Sequence, residues 1–404
     1  MRGSSGRPPR AAFRPGAARL PAPGRGWSRL YPLRGLPHQR QVWAWISFDV
    51  ANQSFTLLIN TLLFSIFFTE VVAANSPNPS TLWSITYAAS MLLVVLASPI
   101  AGALADERSW KKEALVITGF ACAILTCMLG LIRPGQLALA MAIYIPANFA
   151  FSIGENFLAA YLPELARRED FGRVSGFSWG CAYAAALLLL ILTAAAMQLF
   201  GLGAAEQWRP FFVFAGVWFG AFIIPTLLFL RERPTQPSHR GVHILLVGFV
   251  RLRESLRHIR EFRDLITLMA ASLFYGTAMS VIIFFASILA KEFGFDEVRL
   301  VVFVGVITVS GVGGTLLPTL YQDRFGHKRM TIALLVLWLL TSLGFAYYAH
   351  LHSVSLNPAT FPTWPLWLLG NLIGVGLGSL GSANRAFVGF LAPASRTAEV
   401  FGVW

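Results

Sequence analysis

Asp49, Asn52, Gln53 and Asn60 sit in an otherwise apolar stretch at spacings that bring all four onto one face of a helix. Asn148, Ser152, Glu155 and Asn156 form a second polar stripe in another apolar run, with Glu155 as its only charge. A charged group in hydrocarbon costs about 2.5–3.5 kcal/mol even on lenient scales, so each must face an interior or a water-filled space. Two kinds of chemistry fit. The stripes can line a cavity that binds a polar solute or exchanges a proton, or Asp49 and Glu155 can pair with a helix-end arginine such as Arg173 or Arg385 and latch neighbouring helices. The helix-end latch candidates are Arg173, Asn384, Arg385 and Glu399. Glu70 falls at the far end of its apolar run and reads as an interface residue.

Two short links repeat a charge pattern. In 102–112, Asp106 ends an apolar run, and Arg108, Lys111 and Lys112 lead into the next. In 320–329, Asp323, Arg324, Lys328 and Arg329 do the same. Carboxylate and basic groups so placed can clamp neighbouring helix ends.

Other chemistries lack their residues. There is no Gly-rich phosphate loop ending in Lys and Ser or Thr, so ATP-driven work by this chain alone has no support. No His-x-x-x-His, His-Glu-x-x-His or Gly-x-Ser-x-Gly run occurs, so no catalytic group, metal or cofactor is expected. An intramembrane enzyme would need clustered His, Asp or Glu, and the carboxylates are isolated. Cys122, Cys127 and Cys181 lie in apolar stretches without a Cys-x-x-Cys pair, which leaves them as plain side chains.

The elements that must position these groups are membrane spans. Of 404 residues, 56% are hydrophobic and 13% charged, and the mean hydropathy is +0.62. A soluble domain carries about 25% charge. The net charge of +13 would raise the question of nucleic acid, but the basic residues gather at the ends of apolar segments, so no nucleic-acid partner is expected. Apolar runs of crossing length fall near 47–71, 81–104, 114–132, 137–160, 174–199, 210–230, 265–290, 299–320, 331–349 and 365–383. Links 105–113, 161–173, 231–264 and 321–330 are basic, and the links between them carry few or no basic residues. Excess Lys and Arg marks the cytoplasmic side, which puts the N-terminus there.

The expected organisation is a basic arm at 1–42, a six-span bundle at 43–230, a linker at 231–264 and a second bundle at 265–404. Residues 1–40 hold nine arginines and no acidic residue; the arm reads as a disordered cytoplasmic tail, a transit segment or an extension from a misassigned start. In the linker, Leu252, Leu256, Ile259 and Phe262 interleave with Arg253, Arg257 and Arg260, the pattern of an interfacial amphipathic helix. Gly374, Gly376, Gly378 and Gly381 offer a smooth face for close helix packing.

The paired links resemble the G-x-L-x-D-x-x-G-R-(K/R) loop of the major facilitator superfamily, found between spans two and three and again between eight and nine. The first copy departs from it, with Ser109 or Trp110 where glycine is usual, which implies a less tight turn. Further motifs resemble the vacuolar-effluxer-like, autophagy-related branch. They are Trp45 to Phe55 (WISFDVANQSF), Tyr161 to Ala166 (YLPELA) with Gly172 to Gly180 (GRVSGFSWG), and, near the end, Asn384 to Phe387, Leu391 to Pro393 and Ala398 to Trp404. The branch carries Y-x-D-G in span seven; here Tyr275-Gly276-Thr277-Ala278 has no carboxylate.

The resemblance implies an all-α polytopic helix bundle with about ten spans present of an expected twelve, the chain stopping where an eleventh begins. It implies a secondary transporter working by alternating access in a bacterial plasma membrane. Its partners would be the lipid bilayer, a small polar solute such as an amino acid, and a coupling proton or cation; nothing sets the oligomeric state. The alternative is a non-transporting scaffold or assembly protein derived from that fold.

Overall fold

The computed structural model describes residues 31–233, 248, 250, 262–293, 295, 297–355 and 362–404. Most of the N-terminal arm, and nearly all of the linker with its expected amphipathic helix, lie outside the described residues.

Long helices follow one another at the places set by the apolar runs. They are α1 (Gln39–Val72), α2 (Pro79–Arg108), α3 (Lys111–Leu129), α4 (Leu137–Ala160), α5 (Phe171–Phe200) and α6 (Arg209–Phe229), then α7 (Arg263–Glu292), α8 (Glu297–Gly314), α9 (His327–Ser353) and α10 (Trp364–Leu391). A short α11 (Thr397–Val403) completes the series, and π and α turns over Pro318–Gln322 and Asp323–Phe325 extend α8. Nine of these helices are long and apolar enough to cross a membrane, and α7 adds a further 30 residues. Some, such as α2 and α5, outrun their apolar runs at both ends because the main-chain ladder continues into the interfacial zone, where water can take the unpaired end groups.

Burial follows the solvent that each face expects. Leu92, Val95, Leu96, Ile117, Ile124 and Ile191 are exposed, which is stable only against lipid. The first bundle instead turns its aromatics inward. Phe64 stacks on Tyr144 at 5.6 Å and meets Phe212 edge-on at 5.3 Å, and Trp45, Phe48 and Phe55 are fully buried.

Helices α1–α6, before the linker, and α7–α11, after it, are taken as the two halves of the chain. The seam is made where α5 packs on α8 and α10, and where α11 packs on α2 and α4. Glycine makes the closest helix approach: a Cβ on Gly378 would run into the carbonyl of Gly311, so α8 and α10 touch backbone to backbone. Gly374 does the same against the carbonyl of Ile307, while Gly376 and Gly381 make room for the rings of Trp338 and Trp179.

The two charged links differ in tightness. Ser109 (φ 55°) and Trp110 separate α2 from α3, whereas Gly326 alone (φ 89°) separates Phe325 from α9. Ser109 adopts the left-handed region at a cost of about 1–2 kcal/mol that glycine would avoid.

Candidate functional site

The polar stripes of α1 and α4 face each other. Asn60 Nδ2 donates to Asn148 Oδ1 at 3.0 Å, and Tyr144 Oη donates to Asn60 Oδ1 at 2.8 Å. Asn148 Nδ2 then donates to Ser90 Oγ of α2 at 2.8 Å, and Asn156 Nδ2 reaches Ser98 Oγ at 2.6 Å. Asn60 lies in a π turn over Phe55–Leu62. Such turns shift the register of the helix beyond them and gather at functional positions. Gln53 is half-buried.

Glu155 differs from its neighbours. It sits about 7 Å inside the end of α4 at 1.5 Å per residue, yet its side chain is exposed. It accepts a long hydrogen bond from Asn52 Nδ2 at 3.4 Å. It lies close enough to Asp49 and Arg385 to feel both charges, and Tyr87 of α2, 38% exposed, feels Glu155 in turn. This exposed carboxylate therefore has polar and charged groups of α1, α2 and α10 as its neighbours.

Asp49, by contrast, is closed in. Arg385 Nη1 donates to Asp49 Oδ2 at 2.7 Å, and Ser178 donates to the same oxygen. The guanidinium also donates to Ser175 Oγ at 3.0 Å and lies 4.5 Å from the ring centroid of Trp45. The pair joins α1 and α5 of one half to α10 of the other. Asn384 is buried with its Oδ1 unpartnered. Arg173 turns to Asp170 at 2.6 Å, since a partner three residues away in the chain is always within reach.

The charged links cross the seam in opposite directions. Asp106 Oδ2 accepts from the main-chain N–H of Glu399 at 2.8 Å, in the first turn of α11. Asp323 accepts from the N–H groups of Gly172 and Arg173 at 2.7 and 2.8 Å, in the first turn of α5. Each carboxylate thus satisfies orphan donors at a helix N-terminus of the opposite half, where the helix dipole favours a negative charge. Lys111 is buried between Asp106, at 3.7 Å, and Glu164. Arg108, Arg324, Lys328 and Arg329 are exposed. Among the described residues no group of His, Cys, Asp and Glu could hold a metal.

Several members of this site are ordinary-looking in the sequence. Trp45, Ser175 and Ser178 fall within the motif segments without a role of their own, and Ser90 and Ser98 carry no sequence signal. Glu164 carried a signal, a charge in the turn after a span, but its partner Lys111 lies 53 positions away.

A family model described as vacuole effluxer Atg22 like matches residues 78–404. The chain belongs to that family. A Bacillus subtilis relative of this Atg22-like chain, named as the uncharacterized MFS-type transporter YxiO, is 24% identical over 371 residues and covers 89% of this chain and 83% of its own length. Autophagy-related protein 22 of Kluyveromyces lactis is 22% identical over 342 residues, covering 78% of this chain and 67% of its own.

Among solved structures, the human organic anion transporter MFSD10 matches at a TM-score of 0.65 and 14% identity, over 91% of this chain and 89% of that one. The proton:xylose symporter XylE matches at 0.63 and 16%, over 91% and 85%. At such identities they establish the fold alone. This Atg22-like chain is thus an integral membrane protein of the major facilitator type, an all-α bundle in a family of secondary transporters.

Proposed function

We propose that this chain moves a small polar solute across a bacterial plasma membrane by alternating access, with amino acids as the first class to test. The observation that carries the reading is Glu155, an exposed carboxylate well inside α4 with Asn52, Tyr87 and the Asp49–Arg385 pair as its neighbours. In that position it can hold a cationic or hydrogen-bonding group of the solute, or trade a proton as access changes sides.

The rest of the site supplies the gate. The Asp49–Arg385 pair and the two carboxylate caps hold the basic ends of the halves together. With the arginine-rich links and the N-terminus on the cytoplasmic side, this state is closed inward. Opening it means breaking one buried ion pair and uncapping two helices, and these discrete contacts suit a two-position rocking bundle.

The test is flux of radiolabelled neutral amino acids into proteoliposomes under proton and sodium gradients. Gradient-dependent uptake lost in Glu155→Gln supports the proposal. No flux for any of a broad panel counts against amino acids, and Asn52→Cys and Asn156→Cys labelling that never changes with conditions favours a non-transporting scaffold.

A further inference from the structure

Two cavities at the basic end share a wall. The first, of about 570 Å³, is lined by Arg168 from the link before α5 and by Lys328 and Arg329 from the start of α9. The second, of about 350 Å³, runs into the bundle between α7, α9 and α10 and is largely apolar, with Leu268, Ala271, Ile332 and Leu335 on its sides. Lys328 and Phe387 line both. A basic mouth therefore adjoins a largely apolar slot at the basic end of the helices.

The acidic groups at the mouth are already engaged. Asp323 is bound by the N–H groups of Gly172 and Arg173, and Glu169 lies 3.6 Å from Arg167. Asp264 lines the slot but makes no ion pair with Lys328 among the described residues. Lys328 and Arg329 are exposed and likewise make none. Inside the slot, one helical turn from Lys328, Thr331 is 4% exposed and its Oγ1 has no hydrogen-bond partner. A buried hydroxyl in an apolar slot is costly unless something binds it.

We propose that the paired cavity binds an anionic phospholipid. Its phosphate sits among Arg168, Lys328 and Arg329, an ester oxygen accepts from Thr331, and an acyl chain follows Leu268, Ile332 and Leu335. Free phosphate would satisfy only the mouth. Arg168 belongs to one half, and Lys328 and Arg329 to the other, so the lipid bridges the seam and favours the state in which the basic ends are together. The site is independent of what the transporter carries.

The test is thermal unfolding of the full chain in mild detergent, titrated with phosphatidylglycerol, with phosphatidylcholine of the same acyl chains, and with inorganic phosphate. Phosphatidylglycerol alone is expected to raise the unfolding temperature saturably. The double variant Lys328→Gln/Arg329→Gln is expected to weaken the midpoint roughly tenfold or more. Thr331→Val and Leu335→Trp, which fills the slot without touching charge, are expected to weaken it as well. Arg133→Gln, which removes a charge from the opposite end, is expected to leave it unchanged. An equal response to phosphatidylcholine or inorganic phosphate, no response to phosphatidylglycerol, or an unchanged midpoint in the double and Leu335→Trp variants would overturn the proposal.

Discussion

Asp49 of α1 and Arg385 of α10 stand 336 positions apart in the chain and meet at 2.7 Å, both buried, across the seam between the two halves. Removing either partner strands the other's charge. Asp49→Asn and Arg385→Gln are each expected to destabilise the detergent-solubilised protein by about 3 kcal/mol. The neutral double variant is expected to lose less than the sum of the two, because it leaves no buried charge behind. A double-mutant cycle of unfolding free energies measures this coupling.

Glu155 is expected to behave in the opposite way. It accepts one long hydrogen bond from Asn52, and glutamine keeps an acceptor there, so Glu155→Gln should shift stability by under about 1 kcal/mol, far less than Asp49→Asn. Flux in proteoliposomes should fall at least about tenfold if the carboxylate holds the solute or its proton. A stability loss comparable to that of Asp49→Asn would instead mark Glu155 as a structural group.

The backbone contact between α8 and α10 sets a packing test. Gly378→Val drives a side chain into the carbonyl of Gly311 and is expected to cost about 1–3 kcal/mol. Gly276→Ala in α7 meets nothing within 4 Å and is expected to stabilise by about 0.5 kcal/mol through helix propensity. Thermal unfolding of the two variants side by side separates close packing from a general intolerance of glycine replacement.

Much of this architecture was legible in the sequence because hydrocarbon is an unforgiving solvent. Spans must be long and uncharged, so the runs beginning near 47 and 365 could only be helices of the kind that α1 and α10 proved to be. The charge on Asp49 called for a polar cavity or a partner for the same reason. Which arginine it takes was not legible, since Arg173 and Arg385 are equivalent by type, and only the packing of α5 on α10 decides between them. Ser175, Ser178 and Trp45 stood within the motif segments, but their part in the Asp49–Arg385 pair was not legible, because hydroxyls and indoles in a span serve packing as readily as hydrogen bonding. The carboxylates of the two charged links were visible, but their acceptance of N–H groups from the opposite half was not. That contact is made to main chain, which leaves no mark in side-chain pattern.

At the basic end, outside the spans, Glu232 accepts from the N–H of Lys112 at 2.9 Å. Burial raises its carboxyl above the ordinary range, against the pull of the Lys112 and Lys111 N–H groups and the Lys111 charge. A carboxyl raised in the folded state binds its proton more tightly there than when unfolded. It therefore favours folding at low pH and loses that contribution as pH rises through the raised value. Glu232→Gln is expected to gain stability relative to the parent at neutral pH and not near pH 4, as unfolding measured at both pH values would show.

The halves are expected to exchange access between the two ends, with the present state closed where the basic links meet. Spin-label distances measured in one sample test it most directly, with Arg167→Cys and Arg324→Cys as the basic-end pair and Leu131→Cys and Leu351→Cys as the opposite pair, in a background lacking Cys122, Cys127 and Cys181. The expected result is two populations at each end that change reciprocally with solute or gradient, and a shift toward basic-end opening in Arg385→Gln. A single fixed distance at both ends, unmoved by that substitution, would contradict the account.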